Sequence, residues 1–167
     1  NMELIDIIPE FNLYEEFWRI YTKSDVLPPQ YFSENSRVSG CIVGEGTEVY
    51  GEIYDSVIGS GVTIEEGVVI KSSIIMNGCH IKAGAQLFRT ILAENSVVGE
   101  RSELGVFEEA TNKYKPKIYE GGLVTVGEYS VIPPDIKIGK NVAIAGITTA
   151  EDYPDGILKS GESIIRQ

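Results

Sequence analysis

The sequence predicts an all-β fold in which one chain winds as a single-stranded coil of parallel strands around a triangular prism. Three observations predict it. Aliphatic residues recur every six positions, as at Ile58, Ile64 and Ile70; an amphipathic helix needs steps of three and four, and a half-buried strand steps of two. From Asp55 the chain divides into three consecutive 17-residue units, DSVIGSGVTIEEGVVIK, SSIIMNGCHIKAGAQLF and RTILAENSVVGERSELG, with Ser or Thr (Ser56, Ser73, Thr90) ahead of two aliphatic residues in each. Four residues after an aliphatic mark the side chain is small or β-branched: Thr47, Val62, Val68, Cys79, Ala85, Ser96, Ser102, Ser130, Val142. Self-similarity at a fixed period marks a solenoid.

The marks run 58, 64, 70; 75, 81, 87; and 92, 98, 104. Val43 and Val49 form an earlier, shorter lap, and Val126, Ile132, Ile138 and Ile144 resume the count downstream. A short strand and a turn, three times per lap, put the marks inside the prism and the small residues at its corners. Laps then stack as parallel strands about 4.8 Å apart, each burying its marks against its neighbours. An antiparallel β-sandwich predicts alternation and hairpin turns of the Asn-Gly kind, whereas the spacing here stays at six. The pattern resembles the hexapeptide-repeat, left-handed parallel β-helix. Its left hand comes from that resemblance, since the general rule for parallel crossovers favours the right.

Three segments do not count in sixes. Residues 11–32, FNLYEEFWRIYTKSDVLPPQYF, predict a short helix: Asn12 and Glu15 fit an N-cap and capping box, and Tyr14, Phe17, Trp18 and Tyr21 share one helical face, with Lys23 near the C-terminal end. Pro28-Pro29 then enforces extended chain. Two readings of this helix stay open, a cap on the first lap and a docking surface for another domain. Residues 106–123 read as a loop thrown out from one corner; Lys113, Lys115 and Lys117 there fit either a solvated loop or an anion-binding or subunit-contact site. The tail, EDYPDGILKSGESIIRQ, carries turn signals and is expected to close the far end. The domain reading is therefore a linker and capping helix over 1–32 and a β-helix over 33–167.

Composition excludes some functions. Fourteen basic and twenty-five acidic side chains leave a net charge of −11, which argues against nucleic acid or an anionic membrane as partner. Cys41 and Cys79 form no metal or redox motif and fit a reducing cytoplasm. No apolar run approaches a membrane span. The first residue is Asn1, which fits either interior sequence or a residue ahead of a start at Met2.

Chemistry is sparse. The single histidine, His80, follows Cys79 and precedes the mark Ile81. Acyltransferases on this fold use a histidine as general base, so a catalytic and a merely structural reading both stand. One histidine does not make a zinc site, and the Gly-x-Gly pieces at 44–46 and 59–61 recur at repeat corners as turn chemistry. No catalytic, cofactor-binding or metal residue is assigned, and the chain alone is expected to be inactive.

The segments NMELI and FNLYEEFWRIYTKSDVLPPQYF resemble the junction of bacterial glucose-1-phosphate adenylyltransferase (ADP-glucose pyrophosphorylase), where the catalytic domain meets a left-handed β-helix. The repeats over 41–92 and the stretches YKPKIYEGGLVTVGEYSVIP and IGKNVAI match the same family. The resemblance implies a C-terminal regulatory and oligomerisation domain. The parent enzyme would make ADP-glucose and pyrophosphate from ATP and glucose 1-phosphate, with magnesium, in glycogen biosynthesis. It implies as partners the chain's own N-terminal catalytic domain, further copies in a tetramer or a regulatory homologue, and sugar-phosphate or nucleotide effectors. Tyr14, Trp18, Arg19 and Tyr21 are then the domain-docking candidates. The positions matched to the family's effector-binding arginines, Asn95 and the stretch 123–129, are not basic here. Two alternatives remain: a non-catalytic regulatory homologue, and a free-standing hexapeptide-repeat acyltransferase with His80 as the residue to test.

Overall fold

The computed structural model describes residues 2–6, 8–10, 12–13, 15–18 and 26–166. Among the described residues twenty short strands build three parallel sheets, the faces of a prism. Face A holds Tyr31–Phe32, Glu48–Val49, Thr63–Ile64, His80–Ile81, Val97–Val98 and Val131–Ile132 in spatial order. Face B runs from Arg37–Ser39 through Glu52–Tyr54, Val69–Lys71, Gln86–Phe88, Glu103–Leu104 and Lys137–Ile138 to Ile157–Leu158. Face C runs from Ile42–Val43 through Val57–Ile58, Ile74–Ile75, Thr90–Leu92, Val124–Val126 and Val142–Ala145 to Ser163–Ile165. Every pairing between these strands is parallel, with inward marks in register, as Ile64 beside Ile81 and Ile81 beside Val98.

The count of six works as geometry. Ile58, Ile64, Ile70, Ile75, Ile81, Leu87, Leu92, Val98 and Leu104 are all buried, as are Val126, Ile132, Ile138 and Ile144 after the interruption. The middle laps are 17 residues apart, as in the bonds from Ser73 N–H to Ser56 Oγ and from Thr90 N–H to Ser73 Oγ. Across 106–123 the separation becomes 34, as between Ser130 N–H and Ser96 Oγ. The insertion is thus one extra lap-length of chain that leaves the register untouched.

The small corner residues do more than fit a narrow space. Ser56, Ser73 and Thr90 stand one above another at the corner entering face C, each hydroxyl donating to a carbonyl two residues back (Tyr54, Lys71 and Phe88, at 2.6, 2.8 and 3.2 Å). The first two hydroxyls also accept the next lap's N–H. A turn inside an apolar prism leaves backbone groups that water cannot reach, and these hydroxyls satisfy them. Among the described residues no buried side-chain polar atom lacks a partner.

The two glycines of each Gly-x-Gly corner serve different ends. Gly46 and Gly61 sit at φ 70° and 65°, left-handed backbone that L-residues avoid. Gly44 has ordinary φ, but a Cβ on it would lie 2.7 Å from Ser60 N of the next lap. One mark escapes the count. Ile53 is fully buried, and it follows Val49 by a shortened corner at Gly51, where a Cβ would meet the Val68 carbonyl oxygen at 2.5 Å.

Two expectations need correction. The coil begins at Tyr31–Phe32, which pairs with Glu48–Val49, ahead of residue 33. The helix expected after Asn12 is not formed among the described residues of that stretch, which show only a turn and bends; the helical turn present upstream is a 3-10 segment, Met2–Ile5. The physical reason is burial. An isolated helix of this length is marginal in water, and of its expected apolar face the described residues are exposed, Phe17 at 100% and Trp18 at 81%, while Tyr14 and Tyr21 lie outside the described residues.

The far end closes differently. After Val142–Ala145 the chain makes a single parallel bridge from Ile147 to Val131, then two 3-10 turns, Ala150–Asp152 and Pro154–Gly156. Tyr153 lies between them at 2% exposure, its hydroxyl 2.7 Å from Thr148 Oγ1, which in turn donates to the Val131 carbonyl at 2.6 Å. It fills the last lap where a strand would have placed an aliphatic mark.

Candidate functional site

Three groups of residues carry what chemistry the surface offers. The first is on face A. Because Ile81 points inward, its neighbour His80 points outward, flanked in the sheet by Thr63 and Val97. His80 Nε2 lies 2.6 Å from Glu65 Oε1, and the other Glu65 oxygen accepts the Ala83 N–H at 2.9 Å. Partial burial alone would raise the Glu65 pKa. The His80 hydrogen bond, the Ala83 N–H and the fields of His80 and Lys82 outweigh it and hold the carboxyl below its usual range. A histidine oriented by a carboxylate is the arrangement of a general base. It needs a substrate cavity beside it, however. One indentation of about 330 Å³, near the start of the coil, is lined by Asn35, Tyr50, Glu52 and Glu66, and His80 is not among its lining residues.

The second group is the loop. Residues 106–123 contain no strand. The loop is pinned to the last laps by Asn112, which is buried: its Nδ2 donates to the Asn141 carbonyl at 2.7 Å and to Ser163 Oγ at 3.0 Å, and its Oδ1 accepts the N–H of Tyr114 and of Lys115. Asn112 was invisible in the sequence because no local pattern announces a long-range amide anchor. The three lysines are exposed. Lys113 Nζ is 3.2 Å from Glu162, and Lys115 lies over the Tyr114 ring at 5.0 Å. Asn95, and Tyr129 at the end of the stretch 123–129, both occupy left-handed backbone at a corner (φ 56° and 54°).

The third group is the segment before the coil. Trp18 is exposed, with Phe17, Ile8 and Val26 exposed in the same segment; Tyr14, Arg19 and Tyr21 lie outside the described residues. Leu27 touches a corner, its side chain bounding the space beside Gly46 and Gly61. Of the cysteines, Cys79 is buried and donates to the Ala93 carbonyl at 3.1 Å, while Cys41 is half-buried. Burial pushes both thiols up, away from thiolate chemistry. Among the described residues there is no cluster of three or more potential metal ligands, and no helix is long and apolar enough to cross a membrane.

Residues 28–126 match the family model described as GlmU-like, C-terminal hexapeptide. The chain is 60% identical over 166 residues to a glucose-1-phosphate adenylyltransferase of Lachnospira eligens, and 38% identical over 166 residues to one of Acetivibrio thermocellus. Each alignment covers 99% of this chain and 39% of the relative, so the chain spans about two fifths of the length of the curated relatives it matches. Among solved structures, the acetyltransferase domain of PglB from Neisseria gonorrhoeae in complex with acetyl coenzyme A aligns at 20% identity with a TM-score of 0.47, over 80% of this chain and 56% of that one.

Proposed function

Because the chain belongs to the family of GlmU-like C-terminal hexapeptide domains, we propose that it is the regulatory and assembly domain of an ADP-glucose-forming nucleotidyltransferase acting in glycogen synthesis in the cytoplasm. The observation that carries this is the 60% identity to a glucose-1-phosphate adenylyltransferase across 99% of the chain. In this reading ATP, glucose 1-phosphate and magnesium are handled by a nucleotidyltransferase domain outside this sequence, and the β-helix docks that domain, joins further copies into a tetramer or pairs with a regulatory homologue. Sugar phosphates or nucleotides act as effectors, and the exposed lysines of the loop are the anion candidates on this chain.

The docking role falls to the apolar segment before the coil. Trp18 has no partner-sized burial within the chain, and an exposed aromatic stripe is the usual mark of an interaction surface. In the full enzyme, Trp18→Ala should lower thermal stability and weaken the effector response, measured by melting and by ADP-glucose formation with and without sugar phosphates. Unchanged assembly and unchanged effector response would overturn the docking role. The acyltransferase alternative is separated by calorimetry: coenzyme A binding to this chain, lost with His80→Ala, would replace the present reading.

A further inference from the structure

The corner entering face C changes its chemistry after Thr90. Up to that lap, hydroxyls satisfy the backbone at this corner, but the column continues as Val124 and Val142, which have no polar side-chain atom to offer. The loop takes over. Its first half lies against the last two laps: Lys113 N–H donates to the Gly161 carbonyl at 2.7 Å, Asn112 Nδ2 reaches the Asn141 carbonyl and Ser163 Oγ, and Asn141 Nδ2 donates to the Ala110 carbonyl at 3.0 Å. On the way back Gly122 N–H donates to Asn141 Oδ1, and Arg89 Nη2 to the Gly121 carbonyl, both at 2.7 Å. Asn112 and Asn141 are 1% and 6% exposed, so little water competes for these bonds. Asn112 uses both of its N–H donors and both lone pairs of its oxygen. The seat admits no extra atom at Gly161, where a Cβ would run into the Thr111 carbonyl oxygen.

We propose that residues 106–123 are a latch on the far end of the prism, seating and releasing as one unit with the last lap. Asn112 is the shared part. Through one side-chain amide it holds the loop's own turn at Tyr114 and Lys115, the corner of the preceding lap at Asn141, and the last strand at Ser163. That strand, Ser163–Ile165, pairs only with Val142–Ala145, and a lap with a single neighbour opens at lower cost than one in the middle of a stack. The bonds to the loop make up part of what a further lap would have supplied. Opening either element breaks bonds that hold the other, so the second opening costs less than the first. Contacts shared in this way couple two elements, and the coupling is reciprocal. Whatever holds the exposed part of the loop, where Tyr114, Lys115 and Lys117 lie, therefore also holds the last lap. The exposed ion pair of Lys113 with Glu162 adds little to this. The latch uses only contacts within this chain, so it holds whether or not the function proposed above does.

Amide hydrogen exchange of this chain, read by mass spectrometry with the middle laps 55–104 as reference, tests the latch. Asn112→Asp keeps an oxygen for the N–H groups of Tyr114 and Lys115 but loses both donors. The loop's own turn then survives while its bonds to Asn141 and Ser163 go. Exchange should rise at least about tenfold in 106–123 and also in the last lap, 157–166, the size expected for a buried hydrogen bond lost, with 55–104 unchanged. Lys117→Glu makes the loop more negative without touching the seat, and both segments should exchange as in the wild type. If Asn112→Asp loosens 55–104 as well, Ser163→Ala carries the test from the other side. That change lies on the last strand, and it should raise exchange in the loop at least about threefold. Faster exchange in 106–123 alone after Asn112→Asp would mean that the loop is anchored without holding the last lap, and overturns the latch. Faster exchange in 157–166 alone after Ser163→Ala overturns it equally, as does no change in either segment. An equal rise with Lys117→Glu would assign the effect to charge and not to the amide.

Discussion

The two ends of the prism are built from the same repeat, and they end differently. At the far end Tyr153 is buried to 2% exposure, Leu158 to 4%, and two short helical turns lie where the face A strand would have been. Arg166 pairs with Asp152 across this cap. At the near end Phe32 and Val38 occupy the positions of inward marks, in register with Val49 and Ile53, yet they are 41% and 38% exposed. Ile8, Phe17, Trp18 and Val26, all ahead of this end in the chain, are exposed as well. Strand register buries a mark only when a lap lies on each side of it. A terminal lap needs a plug, and among the described residues only one end supplies its own.

That contrast can be broken by substitution. The largest effect should come from Tyr153→Ala, which empties the plug and costs about 3–5 kcal/mol by analogy with other large-to-small core changes; urea denaturation measures it. A loss below about 1 kcal/mol would mean that the last lap is held by its strands alone. Next is Ala85→Leu at a fully buried corner, where overpacking should cost about 1–3 kcal/mol. A neutral result would show that corners in the middle laps yield more readily than the stacking suggests. Val38→Ala at the open end should cost about 1 kcal/mol or less, because its side chain already meets water. A cost matching that of a buried mark would mean the near end is covered in solution.

The smallest effect concerns Glu65. Its carboxyl titrates below the usual range in the folded chain, so its contribution to stability is present above the ordinary carboxylate value and is lost as pH falls through the lowered one. Urea midpoints followed from neutral to acid pH should therefore decline less for Glu65→Gln than for the wild type. Parallel curves would show that the His80 contact adds nothing to folding.

Much of the fold was readable because the prism repeats a local rule. Each aliphatic mark from Ile58 to Leu104 is buried, and each small residue four positions on, from Thr47 to Val142, sits at a closed corner. The reading failed where the rule changes length or where distant residues act. Ile53 was missed because the corner at Gly51 is shorter than the others. Tyr153 was missed because the cap abandons the period, and a large aromatic side chain in a turn-rich tail carries no periodic signal. Asn112 was missed because its partners Asn141 and Ser163 lie 29 and 51 residues away. The helix expected after Asn12 falls largely on Tyr14 and 19–25, outside the described residues, and residues 15–18 show only bends. The His80–Glu65 contact spans 15 residues, about one lap, and becomes visible only after the laps are stacked.

By itself the sequence determined the prism and its inward residues, since hydrophobic period and corner size act within a few residues and repeat in every lap, and the family came from the resemblance of its junction segments. The tertiary structure decided how the ends are treated and which residues anchor the loop. Those properties depend on which laps become neighbours, and residues 15 to 51 positions apart meet only when the coil has closed around its core.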